Sequence, residues 1–338
     1  MSSTSVDVTF PSHDGSLMLA GTVTTPTTTT AGSDSLRPAV VIIVGTGRID
    51  RNGRTASGIE TCVYSKLASL FTDELGWVCL RYDKRGTGAS TNSDNDLYLK
   101  AGMSDLVRDA AAAAQFLLTR PHVDPTKLIL AGHSEGSILL PSVSLHLGTV
   151  HGLFFIAGFG ESIETAVRWQ SREAAAAIAA STSWSMKLMQ CFMTEAALLK
   201  EIDDRKAKVA ATEGDMISEW CGLVKTQAKW WREHFAYDVP RLHADSSRLT
   251  SHALIVTGAK DVQCRAQFCT IEHAKTVLTH AASVTCAVPT KMTHLLRPME
   301  GTPEILTCTN EYKRTAHEPL DLEFVQAIRE WARAIGCE

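Results

Sequence analysis

The stretch Lys127-Leu-Ile-Leu-Ala-Gly132-His133-Ser134-Glu135-Gly136-Ser137-Ile-Leu-Leu140 decides how this chain is read. It passes from an apolar run through a tight turn into a helical pattern. Glycines two before and two after Ser134 let the backbone turn sharply with no Cβ in the way, so a serine there stands exposed at the end of a strand. A Gly-x-Ser-x-Gly pattern arises by chance on the order of 0.1 times in a chain of this composition, so its place between strand and helix carries more weight than its letters.

Outward from this segment, short apolar runs alternate with helical spacing. Val6 to Phe10 and Leu17 to Thr24, joined by His13-Asp14-Gly15-Ser16, read as an antiparallel hairpin. Ala39 to Val44, Trp77 to Arg81, Leu128 to Ala131, Leu153 to Ala157, Ala253 to Thr257 and Val284 to Val288 are continuously apolar, as strands buried on both faces are. Glu60 to Leu75, Met103 to Leu118, Ser137 to Leu147, Ala266 to Thr279 and Leu320 to Ile335 have helical spacing between them. The fold class expected is α/β: a doubly wound, mostly parallel eight-stranded sheet. Residues 161–245 interrupt the alternation with an almost wholly helical pattern that holds five of the seven tryptophans (Trp169, Trp184, Trp220, Trp230 and Trp231). This predicts a core domain of residues 1–160 and 246–338 with a helical cap, 161–245, inserted above the strand ends. The polar stretch Thr27 to Ser35 reads as a surface loop.

A serine hydroxyl is a poor nucleophile until a base takes its proton, and a third group must orient that base. Two later strand ends supply candidates. Ala253 to Thr257 leads into Gly258-Ala-Lys-Asp261, and Val284 to Val288 leads into Pro289-Thr-Lys-Met-Thr-His294. Asp261 is therefore expected as the acid, with Asp238 and Asp245 as substitutes, and His294 as the base. Trp184, Met186, Met189, Phe192 and Met193 either line an acyl pocket, with Trp184 and Met189 as its candidate contacts, or form the cap's own core.

On these residues the chain resembles the α/β-hydrolase family, close to its microbial esterase-like and serine-aminopeptidase-like branches. Val41-Ile-Ile-Val-Gly45-Thr46-Gly47-Arg-Ile-Asp50-Arg51-Asn-Gly53 is similar to the family's oxyanion loop. Arg81-Tyr-Asp83-Lys-Arg85-Gly86-Thr-Gly88-Ala-Ser90 and Met292-Thr-His294-Leu resemble its next loop and its histidine turn. The resemblance runs from about Val6 to the C-terminus and is weak over 161–245. It implies hydrolysis of a carboxylic ester through an acyl-enzyme, with the backbone amides of Thr46 and Glu135 as the oxyanion hole and neither metal nor organic cofactor. Val44 stands where the family usually has histidine, but a hole made of amides does not depend on that side chain. Asp83, Arg85, Gly86 and Gly88 read as a structural loop beneath the site, the two glycines in conformations closed to other residues. Asp50 and Arg51 are expected to pair with each other.

A formal net charge of −4 and the lack of a long basic run argue against nucleic-acid binding, which needs clustered cations, and point to a small-molecule partner. Nine scattered cysteines without a Cys-x-x-Cys pair read mostly as reduced core thiols. The first residues lack the basic and apolar regions of a secretory signal, and no apolar run approaches the roughly 18 residues of a spanning helix, so the expected setting is the cytoplasm, off the membrane. Oligomeric state is open. The rival functions are a thioesterase or acyltransferase, which would want basic residues at the cap mouth, an aminopeptidase-like enzyme with Glu161 or Glu164 holding a free amine, and a non-catalytic binding protein.

Overall fold

Alternating side chains along the buried strands give the sheet two covered faces. The computed structural model describes residues 2–27, 35–219 and 224–338; most of the stretch Thr27 to Ser35, together with Trp220 and Cys221, lies outside the described residues. In chain order the first half comprises β1 (Ser3–Pro11), β2 (Met18–Pro26), β3 (Arg37–Ile43), α1 (Val63–Ser69), β4 (Val78–Tyr82), α2 (Leu97–Lys100), α3 (Met103–Leu118), β5 (Val123–His133), α4 (Glu135–Leu147) and β6 (Gly152–Ile156). Then come α5 (Ile163–Ala180), α6 (Trp184–Met189), α7 (Glu195–Ala210), β7 (Met216–Glu219), β8 (Val224–Gln227), α8 (Ala228–Ala236) and α9 (Val239–Ser246). β9 (His252–Val256), α10 (Ile271–Val277), β10 (Ser283–Ala287), α11 (Cys308–Thr315) and α12 (Leu322–Ala334) complete the chain.

Eight strands form one sheet in the order β1-β2-β4-β3-β5-β6-β9-β10. β2 pairs antiparallel with β1 and β4, and every later pairing is parallel. This is the expected doubly wound, mostly parallel sheet. Period-2 alternation explains why both faces need helices: Ala39, Val41 and Ile43 of β3 pack into a core shared with α3 and α4. Val40 and Ile42 face the opposite way, into a second core built with α1 and α12. The strand ends that follow β3, β5, β9 and β10 all emerge at the carboxyl edge, where open parallel sheets leave a crevice.

Three local readings are corrected. Residues 161–245 are not wholly helical, because β7 and β8 form an antiparallel ribbon with Ile217 opposite Thr226. The preceding helix ends at Ala210, Gly214 and Asp215 form the bend that follows, and two short segments pair instead. The helix expected over Ala266 to Thr279 is split into a 3₁₀ turn (Ala266–Phe268) and α10, since the Thr270 side chain accepts from His273 N–H and starts a new helix. Glu60 to Leu75 is likewise α1 followed by a π-helical turn, Leu70–Glu74. Eight cysteines are described as unpaired thiols, four of them buried. Among the described residues, no helix is long and apolar enough to cross a membrane.

Candidate active site

Ser134 sits between β5 and α4 with φ 56° and ψ −120°, a conformation that L-residues rarely adopt and that costs on the order of 1–3 kcal/mol. Its neighbours hold it there. Ser134 N–H donates to Ile156 O at 2.9 Å, and the flanking glycines permit contacts that no side chain could survive. A Cβ on Gly132 would come within 2.3 Å of Gly136 O, and one on Gly136 within 2.1 Å of Ile43 O. β5, the turn and α4 are thereby pressed against β3. The segment after β3 also reaches the serine, since a Cβ on Gly45 would lie 3.1 Å from Ser134 Cβ.

The loops after β9 and β10 bring Asp261 and His294 together. His294 Nδ1 lies 2.8 Å from Asp261 Oδ2, while Asp261 Oδ1 accepts from Gln263 N–H at 2.7 Å and Cys264 N–H at 2.9 Å. A carboxylate can only accept, so Nδ1 carries the proton and Nε2 is left as the basic nitrogen. Ser134 and His294 line one cavity of about 480 Å³ together with Gly45, Thr46 and Glu135. The acid substitutes are engaged elsewhere: Asp238 caps α9 through Arg241 N–H, and Asp245 accepts from Tyr237 Oη at 3.0 Å. Asp261, Cys264 and His294 also place three possible metal-ligand atoms within 4.8 Å of one another. Burial and nearby carboxylates push the Cys264 thiol well above its usual range, and a protonated thiol is a poor metal ligand. With Nδ1 already bonded to the carboxylate, this donor set suits orientation of an imidazole.

The two variable positions of the Gly-x-Ser-x-Gly motif are the features that sequence reasoning missed. His133 is buried and neutral, its pKa lowered to about 3 by burial and by His294. Its Nε2 donates to His294 O at 2.9 Å, so Nδ1 accepts from Tyr64 Oη at 3.2 Å, and Tyr64 Oη accepts from Gly45 N–H at 2.8 Å. One chain of hydrogen bonds thus fixes the Gly45 strand end and the histidine turn together. The Glu135 side chain is also buried. It accepts from Trp230 Nε1 at 2.6 Å and His234 Nε2 at 2.9 Å, both on α8, and lies 3.5 Å from Lys84 Nζ. Despite burial, Lys84 and these donors hold the carboxyl down to about 2. A charged residue in the first buried turn of an otherwise apolar helix was the available signal.

Because folding depresses this carboxyl's pKa, its contribution to stability is full above the ordinary Glu value of about 4.3 and is lost as pH falls from there toward about 2. The urea midpoint of the wild-type protein is expected to drop across that window. Glu135→Gln, which strands a buried Lys84 and should lose about 3 kcal/mol or more at pH 7, is expected to give a flatter acid profile. Parallel acid profiles in the two proteins would remove Glu135 from this account.

Trp184 is 81% exposed and Met189 41% exposed, and neither lines the cavity. Helical spacing marks an apolar face without saying what covers it, and α6, six residues long, does not cover the crevice. Residues 161–245 instead contribute Ile163, Ala166, Val167 and Gln170 of α5 and Trp230 and Trp231 of α8. Asp50 and Arg51 do not pair. Arg51 donates to Asp83 from N–H at 2.6 Å and Nη1 at 2.7 Å, whereas Asp50 Oδ1 accepts from the amides of Asn52 and Arg54. Asp83, Arg85 and Gly86 are buried in this loop and Gly88 is exposed at its tip: Arg85 grips Asp109 with two bonds, and Gly86 and Gly88 have positive φ. Val44 is buried in the second core, where a methyl-bearing side chain packs and an imidazole would need polar partners.

A model of the family described as serine aminopeptidase, S33, matches residues 58–295. No curated protein matches the sequence at a significant level. Among solved structures, DcsB, determined with a substrate analogue, gives a TM-score of 0.58 at 15% identity and covers 98% of this chain and 99% of its own. The Pyrococcus furiosus esterase Pf2001 gives 0.54 at 11% identity, covering 99% and 92%. Est1E from Butyrivibrio proteoclasticus, with ferulic acid bound, gives 0.53 at 14% identity, covering 92% and 98%. At these identities the likeness is one of fold.

Proposed function

We propose, from the premise that this chain belongs to the serine aminopeptidase (S33) family and is an α/β hydrolase, that it cleaves a neutral carboxylic ester through Ser134, His294 and Asp261. The observation that carries the proposal is the strained Ser134 sharing one cavity with a His294 whose Nδ1 is held by Asp261. In this reading His294 Nε2 takes the Ser134 hydroxyl proton as Oγ attacks the carbonyl carbon. The carbonyl oxygen gains a negative charge opposite the amides of Thr46 and Glu135, at the positive end of α4. Collapse of the adduct breaks the bond to the leaving oxygen, which takes the proton from His294. Water, activated by the same imidazole, then attacks the acyl-enzyme, releases the acid and restores Ser134. We read residues 161–245 as the cap that roofs this cavity.

The neutral substrate follows from the lining. Among the described residues lining the cavity, Glu135 is the one carboxylate, its Oε1 bonded from α8 and its Oε2 facing the buried Lys84, and no lysine or arginine is present. Glu161 pairs with Arg265, and Glu164 pairs with Arg168 at 3.0 Å and Lys206 at 2.7 Å, so both candidate anchors for a free amine already hold cations. Gln170, Gln227, Gln263, Tyr312 and two tryptophans give an amphipathic, uncharged wall instead. Purified protein is expected to turn over p-nitrophenyl esters with kcat/KM at least about 10²-fold above aminoacyl anilides and acyl-CoAs, since a buried charge without a partner costs several kcal/mol. Aminoacyl anilides or acyl-CoAs cleaved as well as esters would overturn the assignment.

A further inference from the structure

Lys84 does no chemistry in the mechanism above, yet it is a lysine with 4% of its surface exposed, in the loop after β4. Lysines are rarely buried so deeply, because the ammonium must give up its hydration. A methionine would fill similar volume without that cost. The structure gives the charge two partners. Lys84 Nζ donates to Gly45 O at 2.6 Å and faces Glu135 Oε2 at 3.5 Å. These partners belong to the two residues, or their immediate neighbours, whose amides the mechanism assigns to the oxyanion hole.

The geometry of the peptide unit makes the first contact informative. The Gly45 carbonyl and the Thr46 N–H belong to one trans peptide, and in a planar trans unit C=O and N–H point in opposite directions. Fixing Gly45 O on Lys84 therefore fixes Thr46 N–H away from Lys84. Gly45 N–H is bound to Tyr64 Oη, so the preceding peptide is also held, and Thr46 itself lines the cavity that contains Ser134. A cation on an amide oxygen draws electron density from the nitrogen and strengthens its N–H as a donor, as hydrogen-bonded groups polarise one another in a low dielectric. Through Glu135, the same ammonium is tied to the residue that carries the second amide and, by Trp230 and His234, to α8.

We propose that Lys84 is a positioning residue of the oxyanion hole, which aims and polarises the Thr46 N–H through the Gly45 carbonyl and locks it to Glu135. The inference rests on the serine mechanism proposed above. It predicts that Lys84 acts when charge develops on the substrate oxygen, and little before.

The test uses the full-length protein as wild type, Lys84→Met, Glu135→Gln and the double variant Lys84→Met/Glu135→Gln, which leaves no orphaned buried charge. Each is measured for thermal midpoint, kcat and KM on the best ester, and inhibition by a trifluoromethyl ketone, whose adduct with the serine places an oxyanion in the hole. Removing one oxyanion donor outright costs about 10²- to 10³-fold in kcat, so loss of its positioning is expected to cost about 10- to 100-fold. KM should stay within about twofold, and ketone affinity should fall in step with kcat/KM. In the double variant the thermal midpoint should recover toward wild type while kcat and ketone affinity stay low. Recovery of kcat together with the midpoint, or a loss carried by KM alone, would reduce Lys84 to a packing role. If Lys84→Met fails to fold, the double variant decides in the same way. Failure of the underlying mechanism is distinguishable, because then the wild-type protein itself would form no ketone adduct at Ser134.

Discussion

Ser134→Ala is expected to abolish labelling by a fluorophosphonate and to lower ester turnover by on the order of 10³-fold or more, with the fold and thermal midpoint retained. The size of the effect follows from what the substitution removes. The hydroxyl is the atom that forms the covalent intermediate, so its loss leaves only binding and oxyanion stabilisation, and water must attack without an acyl-enzyme. The fold should tolerate the change because what holds residue 134 is its backbone, through the bond to Ile156 O and the two flanking glycines. Alanine at φ 56° is as strained as serine, so the strain is not relieved and the turn is not rebuilt. Peptide mapping of the wild-type adduct locates the label. A label that persists in the alanine variant, or lies on another residue, would remove Ser134 from the mechanism.

The fold was legible because the buried strands leave a simple signature. Val41-Ile-Ile is apolar at every position since both faces of β3 are covered, and each apolar run expected as a strand pairs into the sheet. The Gly-x-Ser-x-Gly turn was legible for a steric reason: Gly132 and Gly136 stand where any Cβ would meet backbone. The stretch 161–245 was less so. Its helices pack against one another as well as the sheet, so periodicity picked out the exposed Trp184 as readily as Trp230, which is buried against Glu135. Asp50 and Arg51 were matched as neighbours in sequence, whereas Arg51 reaches across to Asp83, a partner that only the sheet order brings close.

Charged residues in the motifs show the same limit from another side. Lys84 and Glu135 lie 51 positions apart and each carries an ordinary letter in its own loop. Only β4, β3 and β5 lying side by side bring them together, next to the two residues whose amides we propose as the oxyanion hole. Sequence could nominate Thr46 and Glu135 by resemblance, but not the buried ammonium behind them.

Asp261→Asn is expected to lower kcat by roughly 10²- to 10⁴-fold with little change in KM or stability. The present carboxylate takes two backbone amides on Oδ1 and the His294 Nδ1 proton on Oδ2. An asparagine can keep the two amide bonds through its carbonyl oxygen, and the loop after β9 should therefore hold its shape. Its NH₂ group then faces Nδ1, where a donor meets a donor unless the imidazole moves its proton to Nε2. That shift puts hydrogen on the nitrogen that must receive the serine proton, and the imidazolium formed during attack also loses its counter-charge. Binding of substrate involves neither event, which is why the loss should sit in kcat. Asp238→Asn and Asp245→Asn serve as controls: the first weakens the cap of α9 and the second the bond from Tyr237, and both should retain kcat within about threefold. A near-native Asp261→Asn beside an inactive Asp245→Asn or Asp238→Asn would mean that the acid acting on His294 in solution is not the one bonded to it in this structure.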